Sequence, residues 1–302
     1  MKSSDDILRI AGTFRKRWHF LFSQLGLALG SLLGMLALEN SAPAQIAPAP
    51  DGISQVPVKL DDVTLARKLR NPITSLVNIP LMENIDFGGG PNDNATRSTL
   101  NIEPIVPFVL DAHWKIVSRL TLPVIDQRNV IPGTSQDGLG DTVERLLLAP
   151  AKANAFGLNW GAGPAFLLPT ATNSALGWDR WGAGPAAALN WHQESWTASV
   201  LAYQLFSVAV GGSHCVDTVT IQPAVSYVFP TSTTLTLSAD SVYDWRSAQY
   251  TCPLSVTTYQ LVKMWGEPVN LGAGVRYDVA RPAGAAEWGL RCSVTFLFPM
   301  PP

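Results

Sequence analysis

Residues 218–245 constrain the fold more than any other stretch of this chain. Val219, Ile221, Pro223, Val225, Tyr227 and Phe229 share one parity, and Thr218, Thr220, Gln222, Ala224 and Ser226 share the other. After the turn Pro230-Thr231-Ser232 the alternation resumes. Leu235, Leu237, Ala239, Tyr243 and Trp245 then face Thr234, Thr236, Ser238, Asp240 and Asp244 across the strand. Successive side chains of a strand point to opposite faces, so a period of two predicts a sheet that is apolar on one side and polar on the other. Each arm runs for about ten residues, the length of a tilted strand that crosses a bilayer. An aromatic sits near each end of its apolar face, the pattern of a membrane β-barrel that is apolar outside and polar inside.

The unit repeats along the chain. Strands are expected at 71–81, 97–108, 114–125, 139–149, 157–169, 181–191, 195–208, 251–263, 268–279 and 287–298, on either side of the two arms above. The fold class is therefore all-β, an antiparallel transmembrane barrel of about 12 strands, spanning 71–298. Connections alternate between tight turns (Asp111-Ala112, Gln193-Glu194, Trp265-Gly266) and longer segments, among them a polar loop over 83–96 and one around Pro132-Gly133 and Asp137-Gly138. Outer-membrane barrels carry this asymmetry, with short turns on the periplasmic side. The aromatics sort with it: Phe108, Trp114, Trp191, Trp196, Phe229, Trp265 and Phe298 near the short-turn ends, and Phe87, Trp181, Phe206, Trp245, Tyr277 and Trp288 near the others. A repeat, WGAGP at 160–164 and 181–185, places Gly and Ala on the inner face. Pro104, Pro164, Pro185, Pro223 and Pro253 fall in or near strands, where each removes a ladder donor, so bulges are expected. The faces of 139–149 and 195–208 alternate too poorly to assign.

Residues 1–44 read as an export signal: Arg15-Lys16-Arg17, an apolar run over 25–38, and Ala42-Pro43-Ala44 before Gln45. An uncleaved anchor over 18–38 is the alternative. A Pro/Ala-rich linker follows from 45, and 61–70 is expected as a short helix, capped by Asp61 or Asp62 and stopped by Pro72. A Pro-rich tail occupies 299–302. Ten Trp with only 15% charged residues suit a membrane interface better than a soluble surface. A net charge of −2 with no basic stripe argues against a nucleic-acid partner. The expected partners are outer-membrane lipid and a small-molecule solute, with the bacterial outer membrane as location.

Six segments carry a family resemblance: LARKLRNP at 65–72, LNIEPIVP at 100–107, GLGDT at 138–142, FLLPTAT at 166–172, YDW at 243–245 and WGLR at 288–291. From about Leu65 to Phe298 the chain resembles bacterial outer-membrane transporters related to the MetA-type phenol-degradation proteins. The resemblance implies an outer-membrane barrel that passes small compounds, aromatic or apolar ones among them. Its motifs are structural, and it assigns no catalytic or binding residue.

No nucleophile elbow, HExxH helix or P-loop occurs. No cofactor, metal site or catalytic residue is expected. A membrane-embedded lipid hydrolase would need more than Ser213 beside His214, and a soluble exported β-sandwich is the remaining alternative. Cys215 and Cys252 are candidates for a disulfide at the outer ends of next-but-one strands. Inward charges are the candidate lumenal groups. Counting from the Asp111-Ala112 turn sets Glu103 opposite Arg119, an expected ion pair. Counting from the last loop sets Arg276 opposite Arg291. Such a like-charge pair needs compensation by Asp240 or Asp278, or else forms an anion constriction. The expected function is passive passage of small molecules.

Overall fold

The structure, a computed structural model, describes residues 61–208 and 215–298. The expected signal, linker and tail lie outside the described residues, as do Ser213 and His214. Asp61 caps the helix α1 (Asp62–Lys68), its carboxylate accepting from the Thr64 amide at 2.7 Å. The same amide and the Thr64 hydroxyl hold the Asp61 pKa below its usual value.

The first half of the barrel contains β1 (Val77–Gly89), β2 (Ala95–Ile102), β3 (Ile105–Val109), β4 (Trp114–Arg128), β5 (Ser135–Leu139), β6 (Thr142–Pro150), β7 (Leu158–Leu168) and β8 (Gly182–Gln193). The second contains β9 (Trp196–Ser207), β10 (Asp217–Val228), β11 (Thr233–Ala239), β12 (Ser241–Asp244), β13 (Gln249–Met264), β14 (Glu267–Ala280) and β15 (Trp288–Phe298). These segments make a closed barrel of 12 antiparallel walls, because β2/β3, β5/β6 and β11/β12 are each one strand interrupted once. Closure comes from β1 pairing with β15, from Val77↔Phe298 to Phe87↔Trp288.

The three interruptions share a cause. Glu103, Gly140 and Asp240 each donate the backbone N–H to a proline carbonyl on the adjacent strand, those of Pro80, Pro123 and Pro253. Proline cannot return a hydrogen bond, so one of the two bonds of the pair is missing and the ladder breaks there. Of the prolines singled out in the sequence, Pro253 lies at a register shift. Pro164 and Pro185 sit directly opposite each other on β7 and β8. Pro223 is accommodated in regular pairing with Val200.

The expected parity holds on the outer face. Ile221, Val225, Leu235, Leu237, Val256 and Val275 are all exposed there. Aromatics form a band at each end, in contacts such as Phe87–Trp288 at one end and Trp196–Tyr227–Phe229 at the other. Trp265 and Gly266 both have positive φ, as a two-residue hairpin turn requires. One carboxylate breaks the apolar band: Glu144 accepts from Ser118 at 2.7 Å on the outward parity of β6 and β4.

Three expectations need correction. The polar stretch 83–96 is mostly strand, with only 90–94 as a turn, because Asn84, Asp86, Arg97 and Thr99 are polar residues facing a polar lumen. Asp137-Gly138 lies within β5, paired with Asp126 and Ile125. Cys215 and Cys252 are not joined in a disulfide, and Cys252 Sγ lies 3.2 Å from Ser241 Oγ instead. Ser241 is level with Ile221 of β10, six positions along the chain from Cys215. That is roughly 20 Å along a strand, well beyond the reach of a disulfide.

Candidate functional site: the barrel lumen

The interior has two unlike sides. Along β10–β15 the inward positions are hydroxyls and amides, among them Thr220, Thr236, Ser255, Thr257, Asn270 and Thr295, all buried. Along β4–β9 charged and amide side chains are interspersed with an apolar patch, in which Val117, Leu147, Ala165, Ala188 and Leu201 form one buried cluster with Ile105 and Ile73. Ile73 belongs to the segment that follows α1. Leu65 of α1 packs on Leu261 and Leu297, so this segment lies inside the barrel at its short-turn end. Two wall cations hold it there. Lys115 Nζ donates to the Ile73 carbonyl at 2.8 Å and to Ser75 Oγ at 2.7 Å, and Arg119 Nη1 donates to the Pro72 carbonyl at 2.7 Å. The Arg70 guanidinium lies over the Tyr259 ring, 4.0 Å from its centroid.

Above this segment a cavity of about 620 Å3 extends to Gly89, Gly90 and Ala285 at the loop end. Its charged lining comprises six arginines (70, 97, 119, 145, 276 and 291) and four carboxylates (Asp86, Glu103, Asp240 and Asp278). All five charged residues singled out in the sequence line this cavity: Glu103, Arg119, Asp240, Arg276 and Arg291.

Their pairing differs from the expectation. Arg119 is opposite Ile105 on one side and Arg145 on the other, not opposite Glu103. The ladder from Val109↔Lys115 to Ile105↔Arg119 is unbroken, so the shift comes from the turn, which Leu110 and Trp114 close around three residues, 111–113. Arg291 is opposite Gly274 and Arg276 opposite Gly289, so the two arginines are not paired. The β14–β15 ladder ends at Tyr277↔Trp288, so the loop it closes, 278–287, is two residues longer than the count assumed. Each arginine has its own carboxylate. Arg291 Nη2 donates to Asp240 at 2.7 Å and its Nε to Asn84 at 2.8 Å. Arg276 lies 3.2 Å from Asp86.

Sequence reasoning missed Asp86, which it placed in a loop, and Arg145, which lies in a strand whose faces were not assignable. The signal for Asp86 was the alternation Asn78, Pro80, Met82, Asn84, Asp86, which is visible once β1 is extended. The described histidines take no part in the lumen. His113 lies beside Asp111 at 4.0 Å, and His192 Nδ1 is 3.5 Å from the Trp196 carbonyl, both at the short-turn end. Among the described residues no group of His, Cys, Asp and Glu is placed to hold a metal ion.

No family model and no curated protein sequence matches this chain. Solved structures do. An outer-membrane channel from Pseudomonas putida F1 superposes with a TM-score of 0.59 at 16% identity, over 76% of this chain and 97% of that one. The Salmonella typhi outer membrane phospholipase dimer with bound calcium gives 0.46 at 12% identity, over 78% and 98%. The KdgM porin in complex with oligogalacturonate gives 0.44 at 9%, over 74% and 100%. The last two are too remote to bear on function. The chain, a closed barrel of 12 strands, thus shares its fold with an outer-membrane channel.

Proposed function

We propose that this chain is a passive outer-membrane channel for small molecules, with anions favoured over cations. The observation that carries the reading is the charged cavity of about 620 Å3 enclosed by the barrel wall, with six lining arginines against four carboxylates. Charged side chains in a lumen set the selectivity of what passes. A barrel of this strand number is too narrow for a wide pore, and residues 69–76 narrow its short-turn end further, so the solutes are small. The rings of Tyr203 and Tyr259 line the cavity, each with one face under a guanidinium, and their remaining apolar area suits small aromatic cargo. The usual orientation of such barrels sets the inserted segment on the periplasmic side.

The test is single-channel recording of the refolded protein in a planar bilayer under a salt gradient. Discrete conductance steps with a reversal potential of the sign for anion preference are expected. Silence from protein that is folded in detergent would remove the channel reading, and cation preference would remove the role given to the arginines.

A further inference from the structure

Two of the lumenal arginines are arranged unlike the rest. Arg119 on β4 and Arg145 on β6 are direct cross-strand partners on the inward parity. Like charges placed opposite each other on one sheet face destabilise it unless something of opposite charge joins them. Arg276 and Arg291 have Asp86 and Asp240 for this purpose. Among the described residues no carboxylate lies within ion-pair distance of Arg119 or Arg145, although Glu103 lines the same cavity.

The two guanidiniums are instead fixed by neutral oxygens. Arg145 donates through Nε and Nη2 to the Arg119 carbonyl, both at 3.2 Å, and through Nη2 to the Thr121 hydroxyl. Arg119 donates through Nη1 to the Pro72 carbonyl at 2.7 Å. Its Nε is buried and has no hydrogen-bond partner. Arg145 is only 4% exposed, and its guanidinium lies over the Tyr203 ring, 5.3 Å from the centroid. Carbonyls orient a guanidinium without neutralising it. The Nε–Nη2 edge of Arg145 is engaged, but that of Arg119 is not, so Arg119 can give a planar oxyanion two parallel hydrogen bonds while Arg145 adds its charge and Nη1 from the facing strand. Ile105, Leu201 and Tyr203 line the cavity beside the pair and offer an apolar surface to whatever the anion is attached to.

We infer that Arg119 and Arg145 form a binding site for the carboxylate of a small organic monocarboxylate, with its apolar body against Ile105, Leu201 and Tyr203. The inference deepens the channel reading by naming a solute class. Its test does not depend on conduction.

Butyrate binding to the full-length protein, refolded in detergent micelles, is measured by calorimetry, with 1-butanol and inorganic phosphate as comparison ligands. Saturable butyrate binding is expected, weakened at least tenfold in Arg145→Gln and in Arg119→Gln and unchanged in Arg128→Gln, which alters a partly exposed side chain at the loop end. Where a Gln variant fails to fold, as judged by heat-modifiable gel mobility, Arg145→Lys keeps the charge but not the fork, and a weaker but measurable affinity is expected. Absence of binding by the wild-type protein, equal binding of 1-butanol, tighter binding of phosphate, or unchanged affinity in the lumenal variants would each overturn the assignment. A protein that binds butyrate but passes no current would retain the site and lose the channel.

Discussion

Arg291 illustrates what a single inward charge needs. It is 5% exposed, and its charge is met by Asp240 at 2.7 Å, with Asn84 taking a second donor. Asp240 reaches it from the strand break opposite Pro253, so the proline that interrupts the ladder also marks where the acid sits. Removing one partner of a buried ion pair leaves the other charge without compensation, which costs about 3 kcal/mol or more. Asp240→Ala is therefore expected to lower unfolding stability by that order, measured by urea titration of the refolded protein. Asp240→Asn, which keeps a hydrogen bond, is expected to lower it less. The residue types at this site were legible in the sequence because Asp240 and Arg291 interrupt hydroxyl- and glycine-rich inward faces. The pairing was not legible, since partners across a barrel come from strands distant in the chain.

At the level of strands, legibility followed the polarity of the lumen. β10, β11 and β14 line its polar side and alternate cleanly, so their faces could be read directly. β6 and β9 line its apolar side: Leu147 and Ala149 on one, and Leu201 and Leu205 on the other, are buried inward while their outward neighbours are apolar as well. With both faces apolar the period of two disappears, and Arg145 was lost with it. The repeated WGAGP segments set a different constraint. A side chain at Gly163 would place its Cβ 1.9 Å from the Leu146 carbonyl oxygen, and one at Gly184 would stand 2.0 Å from that of Gln204. Both glycines precede a proline, and the close approach brings the strands together where the proline gives no N–H. Gly163→Ala must push β6 and β7 apart. It is expected to cost about 2–3 kcal/mol in the same urea titration, or to abolish the heat-modifiable folded form on gels.

For the whole molecule, the segment inside the short-turn end decides how open the barrel is. The passage runs beside residues 69–76, which are held by Lys115 and Arg119. Lys115 is 2% exposed and spans from its strand to two groups of the inserted segment. Lys115→Met keeps the side-chain length and removes both bonds. Larger or noisier single-channel conductance than wild type is the expected outcome in a planar bilayer, and an unchanged trace would mean that the apolar contacts of Ile73 suffice to hold the segment.

By itself the sequence determined the secondary structure period, the number of walls, the two aromatic bands, a helix capped at Asp61 or Asp62 and five of the ten charges that line the cavity. Each of these depends on residues close in the chain, where alternation, turn chemistry and capping act locally. Tertiary structure alone decided which charges are neutralised and which are not. Register across a sheet is set by where prolines break each ladder and how long each loop runs, and closure joins β1 to β15 across the whole length of the chain. A shift of two residues keeps every side chain on its own face while changing every partner. The sequence could therefore place Arg119, Arg276 and Arg291 inside the barrel, but only the folded wall could give Asp86 to Arg276 and Asp240 to Arg291, and set Arg145 against Arg119.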